Sequence, residues 1–254
     1  MPYVDLGGIA GYYEQHGPVD GEPVLLLHGG HCSIETWAPQ VEALSPRYRV
    51  HAPERPGHGR TADRPGPFTF RAMVDDTVAY LDAVGLERVH VVGFSDGAIT
   101  GLMLALEHPQ RVRSLVSISA NLDPSVFDDG DEPAAGGDPE EDPEDAAYAR
   151  LSPDGPAHLE VVVGKLVAMW QVEPQIDPAD LARVGAPTLV LAGDRDSIPT
   201  THTVGIARAV PGAQLCIVPG AGHLVIREKP DLVNRAIEDF LAGLGRVSAS
   251  RQPV

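Results

Sequence analysis

Cations are scarce in this sequence. Lys and Arg number 19 against 36 Asp and Glu, for a net charge of −17 at pH 7. A surface so poor in positive charge argues against a general nucleic-acid binder, which needs a basic face to displace counterions. It also disfavours adhesion to anionic membranes. The first basic residue is Arg47, so a secretory leader with its basic start is not expected. Cysteine is nearly lacking: Cys32 and Cys216 cannot build a disulfide framework, and a cytoplasmic setting with reduced thiols is expected. Long apolar runs are missing too, none approaching the roughly 20 residues of a membrane-spanning helix. What remains is ordinary globular material. The chain has 254 residues, 43% of them hydrophobic, enough for one large domain or two small ones.

The acidity is concentrated. Between Asp123 and Asp145 stand eleven Asp and Glu and no Lys or Arg; the rest of the chain sets 19 basic against 25 acidic residues, only −6. Residues 128–145 read DDGDEPAAGGDPEEDPED, rich in Pro and Gly and poor in large apolar side chains. Such a stretch cannot offset its ordering entropy, so a mobile loop is expected, either a solvated insertion or an acidic gate that attracts cations. The tail, residues 245–254, is expected to fray. No internal repeat is present.

Short apolar runs bounded by turn residues read as buried parallel strands at Val24–His28, Arg88–Val92, Val112–Ser119, Thr188–Ala192 and Leu215–Val218. Tyr48–Ala52 is a weaker sixth, and Ile9–Glu14 reads as a peripheral strand. Helical patterns lie between them at Phe70–Val84, Gly97–Glu107, Thr201–Val210 and Pro230–Leu241. Strands alternating with helices imply an α/β fold whose mostly parallel central sheet carries helices on both faces. Functional loops then belong beyond the carboxyl ends of the strands. Residues 121–186 break the rhythm, with helical stretches at Asp145–Leu151 and Pro156–Gln171. The expected organisation is one core, 1–120 and 187–244, with a small helical cap inserted at 121–186.

The strongest chemical signal is Gly93-Phe94-Ser95-Asp96-Gly97, a G-x-S-x-G directly after a strand and before a helix. In that setting the turn lifts a serine hydroxyl clear of the sheet, over the positive end of a helix. His28-Gly29-Gly30 follows the strand at Val24. A turn of that kind can aim a backbone N–H at a developing oxyanion, with the N–H of Asp96 as the second donor. Gly30 is the first choice for the loop donor and His31 the second. His223, in Pro219-Gly220-Ala221-Gly222-His223 after the last strand, is placed to serve as base. His202 and His158 read as surface residues and His58 as a structural one. For the acid, Asp194 and Asp196 compete in Gly193-Asp194-Arg195-Asp196. Asp196 stands further into the loop, Asp194 could tie the loop down, and Asp123 is a third candidate.

Together VLLLHGG, PERPGHGRT, VVGFSDGA, LVLAGDRDSIP and VPGAGH, spread from Leu6 to Leu241, resemble the α/β-hydrolase superfamily. The resemblance implies Ser95 as nucleophile, Asp196 as acid and His223 as base, in the chain order that superfamily uses. It implies no cofactor. No H-E-x-x-H or Cys/His cluster suggests a metal, and no GxGxxG follows the first strand. The S-D-G form at Ser95 is similar to the branch of biphenyl-hydrolase-like proteins and valacyclovir hydrolase. That likeness suggests that Asp96 pairs with a substrate amine; the alternative is that Asp96 turns away into a loop salt bridge and lends only its N–H. Trp170 on the cap helix is a candidate pocket wall with His31, while Trp37 and Cys32 read as packing residues.

The function expected from these residues is hydrolysis of a small carboxylic ester through an acyl-Ser95 intermediate, with amine-bearing esters favoured. A carbon–carbon bond hydrolase, lactonase or lyase on the same residues is the alternative. A ligand-binding protein that keeps the fold without turnover is the second. The partner expected is a small-molecule ester, with neither nucleic acid nor membrane, and a monomer or homodimer as the assembly.

Overall fold

The computed structural model describes residues 2–127 and 143–249. Eight strands form one sheet: β1 (Tyr3–Asp5), β2 (Ala10–His16), β3 (Glu22–Leu27), β4 (Tyr48–Pro53), β5 (Val89–Phe94), β6 (Val112–Ile118), β7 (Thr188–Gly193) and β8 (Gln214–Val218). Their order is β1-β2-β4-β3-β5-β6-β7-β8. The pairs β1–β2 and β2–β4 are antiparallel, and all the others are parallel. This is the α/β-hydrolase fold. The helices are α1 (Ala38–Leu44), α2 (Phe70–Ala83), α3 (Asp96–Glu107), α4 (Pro143–Leu151), α5 (Leu159–Trp170), α6 (Thr200–Ala209), α7 (Val225–Glu228) and α8 (Pro230–Ala249).

The central strands are apolar throughout because both of their faces are covered. In β3, Leu25 and Leu27 join the core on one face, and Val24 and Leu26 join the core on the other. The same alternation splits β5 into Val91 against Val92, and β6 into Leu115 against Val116. The first face packs on α2 and α3 through Met73, Val74, Leu81, Ile99 and Leu102; the second packs on α1 and α8 through Leu44, Val233, Ile237 and Phe240. Each of these buried apolar side chains contributes about 1.5–3 kcal/mol of transfer free energy. Thr69 caps α2, its hydroxyl accepting the Ala72 N–H.

Some boundaries differ from those expected. α8 continues to Ala249, so 245–249 is helix rather than frayed tail. Gly243 and Gly245 weaken that stretch by only about 1 kcal/mol each, and proline does not appear until Pro253. Residues 250–254 lie outside the described residues. α4 begins at Pro143, so the last three residues of the expected acidic loop are helical; the acidic segment 128–142 lies outside the described residues. Three short elements, β1, α1 and α7, had no sequence pattern long enough to reveal them. Among the described residues, no helix is long and apolar enough to cross a membrane.

Candidate active site

Ser95 sits between β5 and α3 with φ 52° and ψ −121°. A non-glycine residue at such a φ is uncommon, and it is sustained here by its surroundings. The Ser95 N–H donates to the Ile118 carbonyl at 2.9 Å, and the Ser95 carbonyl accepts from Ala98 and Ile99 in the first turn of α3. The flanking glycines are sterically required: a Cβ at Gly93 would strike the Gly97 carbonyl, and one at Gly97 the Leu27 carbonyl.

The hydroxyl meets an imidazole. Ser95 Oγ lies 3.0 Å from His223 Nε2, and His223 Nδ1 lies 2.8 Å from Asp196 Oδ1. With Asp196 as acceptor, Nδ1 carries the proton and Nε2 is free to accept from Ser95. The His223 ring also packs against Phe94, centroids 5.2 Å apart and planes tilted by 46°. Asp196 has a fully buried side chain. Burial pushes its carboxyl up, but the His223 hydrogen bond and charge, the Ile198 N–H and the Ser119 hydroxyl outweigh burial and hold it below the ordinary carboxylate range. Ser119 Oγ donates to Asp196 Oδ2 at 2.6 Å. Sequence reasoning missed this residue; its only signal was a position one past the end of β6. Like Ser95 it has a positive φ, 56°.

The competing aspartates do other work. Asp194 Oδ1 accepts the Gly220 N–H at 2.6 Å and the Ala221 N–H at 3.3 Å, which ties down the loop that carries His223. Asp123 Oδ1 accepts from the Ser125 N–H at 2.9 Å. His202 and His158 are half-buried rather than surface residues. His202 Nε2 accepts the Leu122 N–H at 3.1 Å, and His158 Nε2 lies 2.9 Å from Asp63 Oδ2. Both rings join the segment between β6 and β7 to the rest of the molecule, which gives two helix-surface positions an inward partner.

The glycine turn after β3 is anchored by two neutral imidazoles. His28 Nδ1 donates to the Gly29 carbonyl at 2.8 Å, and its Nε2 accepts the Arg55 N–H at 3.2 Å. His58 Nδ1 donates to the Pro56 carbonyl at 3.0 Å, and its Nε2 accepts the His31 N–H at 3.2 Å. Burial, with Arg55 nearby, pushes His28 well down and His58 down to about 3, so both stay acceptors at neutral pH. The His31 amide is therefore already engaged, whereas Gly30 lines the cavity.

That cavity, of about 390 Å³, is open to Ser95, Asp96, Trp170, His223, Asn121 and Glu173, with Phe127, Ser197 and Ile198 completing it. His31 is not part of it. Its side chain turns instead to Asp145 of α4, Nε2 to Oδ1 at 2.7 Å. Asp96 is 3% exposed and has no ion-pair partner among the described residues. Its Oδ1 accepts the Trp170 indole N–H at 2.9 Å, and its Oδ2 has no hydrogen-bond partner among the described residues. Burial raises the Asp96 carboxyl, opposed by Arg55, the Trp170 hydrogen bond and His223. Trp37 is fully buried in the core, and burial pushes the Cys32 thiol up to about 12, in keeping with packing roles.

Comparisons with known proteins bear on the fold and the family. Residues 22–158 match the family described as alpha/beta hydrolase fold, and residues 161–249 match that of TAP-like proteins. A relative from Caulobacter sp. (strain K31), provisionally named carbamate hydrolase RutD, is 33% identical over 91% of this chain and 96% of its own. A protein of the same name from Variovorax paradoxus (strain S110) is 34% identical over 95% of this chain and 98% of its own. A solved hydrolase from Pseudomonas aeruginosa PA01 superposes with a TM-score of 0.72 at 29% identity, covering 94% of this chain and 97% of that one.

Proposed function

This chain belongs to the α/β-hydrolase family, and from that premise we propose that it is a serine hydrolase acting on a small carboxylic ester through an acyl-Ser95 intermediate. The observation that carries the reading is the continuous Ser95–His223–Asp196 chain, with contacts of 3.0 and 2.8 Å. His223 Nε2 takes the Ser95 proton as Oγ bonds to the substrate carbonyl carbon. Asp196 orients the ring and stabilises its charged form. The N–H groups of Gly30 and Asp96 receive the oxyanion. His223 then passes the proton to the departing alcohol. Water, deprotonated by His223, releases the acid and restores Ser95. The described part of the expected cap, residues 121–127 and 143–186, acts as a cap over the core, contributing Trp170 to the pocket.

Asp96 Oδ2 directs the preference. A buried carboxylate oxygen without a partner among the described residues is costly to leave unmatched, and a substrate ammonium or N–H matches it. Amine-bearing esters are therefore favoured. The provisional name of the relatives adds a second class, carbamates, whose carbonyl carbon carries nitrogen and is open to the same attack to give a carbamoyl-Ser95.

The test is intact mass after a fluorophosphonate probe, on the parent protein and on Ser95→Ala. One adduct on the parent and none on the variant is expected. No adduct on well-folded parent protein would refute an activated Ser95. A panel of neutral esters, amino esters and carbamate esters then ranks the substrate classes. An unchanged rate ratio on Asp96→Asn would remove the amine role.

A further inference from the structure

His31 occupies an unusual position for a residue that does not face the cavity. Its backbone is left-handed, φ 60°, a conformation that side chains avoid although His tolerates it better than most. Two contacts from different parts of the chain hold it there. From below, His58 Nε2 accepts its N–H at 3.2 Å. From above, Asp145 of α4 receives its Nε2 at 2.7 Å. The imidazole is 16% exposed, while Asp145 is 50% exposed. Only a void of about 10 Å³, bordered by His31, His58 and Tyr148 among others, separates α4 from this turn. Packing that tight transmits a displacement rather than absorbing it.

We propose that His31 is a positioning residue through which α4 sets the oxyanion turn. Asp145 fixes the imidazole and His58 fixes the His31 amide, so the Gly30–His31 peptide is held, and with it the adjoining Gly29–Gly30 peptide that presents the Gly30 N–H to the cavity. This rests on the reading of Gly30 as oxyanion donor. The catalytic consequence is specific. Loss of the Asp145 contact leaves the Ser95, His223 and Asp196 contacts untouched and relaxes the one donor that sits next to His31. Removing an oxyanion donor outright costs about 10²–10³ in kcat; misplacing one costs part of that.

α4 supplies its own control. It also docks on the core through Arg150, whose guanidinium reaches Glu35, four residues past His31, at 3.1 and 2.5 Å and makes no hydrogen bond to His31 itself among the described residues. The experiment compares Asp145→Ala, Asp145→Asn and Arg150→Ala for kcat and KM on p-nitrophenyl acetate and for the rate of fluorophosphonate labelling. Asp145→Ala is expected to lower kcat and the labelling rate about tenfold with KM within about twofold. Asp145→Asn keeps an acceptor for His31 Nε2 and is expected to recover most of that loss. Arg150→Ala is expected to stay within about twofold of the parent. Parent-like rates in Asp145→Ala would overturn the proposal, and so would an equal loss in Arg150→Ala, which would make the effect one of helix docking at large. A parent protein that neither labels nor hydrolyses would remove the serine-hydrolase reading and this coupling together. A parent that labels at the same rate as Asp145→Ala removes the coupling alone.

Discussion

Acidification from about pH 7.5 to about pH 5 is expected to destabilise this protein by several kcal/mol, through histidines rather than carboxylates. Burial pushes His51 and His90 down to about 4 and His58 down to about 3. All three are almost wholly buried. In the unfolded chain each titrates near 6.5. Near pH 5 the unfolded chain therefore binds three protons that the native protein refuses, costing about 2 kcal/mol for each imidazole. Glu54 works in the other direction. Burial raises it to about 7, against opposing contacts from Arg60 and the Ile34 N–H. Its contribution is present below its unfolded value of about 4.5 and lost as pH rises through 7, so acidification returns about 2 kcal/mol. The balance is a loss of about 4 kcal/mol, before His28 is counted. Urea unfolding followed by the fluorescence of buried Trp37 measures it. His90→Gln removes one imidazole, whose Nδ1 lies 2.7 Å from Ser114 Oγ, and should shrink the acid-induced loss by about 2 kcal/mol whatever it does to stability at neutral pH. The argument fails if stability is flat or rises over this interval, or if His90→Gln and the parent lose the same amount.

Other expectations concern the site. Ser119→Ala removes the 2.6 Å hydrogen bond to Asp196 Oδ2, so kcat/KM should fall about tenfold and the acidic limb of its pH profile should move up; a parent-like profile would show that Ser119 only packs. Gly30→Ala places a Cβ 2.5 Å from both Asp96 Oδ2 and the Trp170 ring, and should abolish ester turnover while circular dichroism still reports a folded sheet. Trp170→Phe frees Asp96 Oδ1 from its indole donor and should alter the amino-to-neutral ester rate ratio more than it alters Tm. Iodoacetamide should leave Cys32 unmodified in the native protein, because the thiol is 6% exposed and held at about 12; rapid alkylation would contradict that burial.

What the sequence disclosed was the part governed by local pattern. The G-x-S-x-G after an apolar run located Ser95, because only glycines permit the backbone approaches at Gly93 and Gly97. Chain order and loop position separated Asp196 from Asp194, and the structure adds the reason: Asp194 spends its carboxylate on the Gly220 and Ala221 amides. Contacts made by residues distant in sequence stayed hidden. Nothing around His31 signals a ring turned to Asp145, 114 positions away, instead of to the cavity. Likewise Ser119 lacks any local mark of its bond to Asp196, and His158 and His202 look like helix-surface residues until the elements they bridge are placed together. Short elements such as α7, four residues long, carry too little periodicity to read.

The pairing of Ser95 with His223 joins positions 128 apart, and the carboxylate arrives from a third segment, the loop after β7. Loops that long close late, after the local helices and neighbouring strands have formed. Turnover thus becomes a clock for the last stage of refolding. A chain whose N-terminal strands have assembled around Ser95 is still silent until β7 and β8 add at the far edge and bring Asp196 and His223 with them. Regained activity, read beside regained helicity, should therefore lag in time, and the lag measures how long the C-terminal strands take to join the sheet.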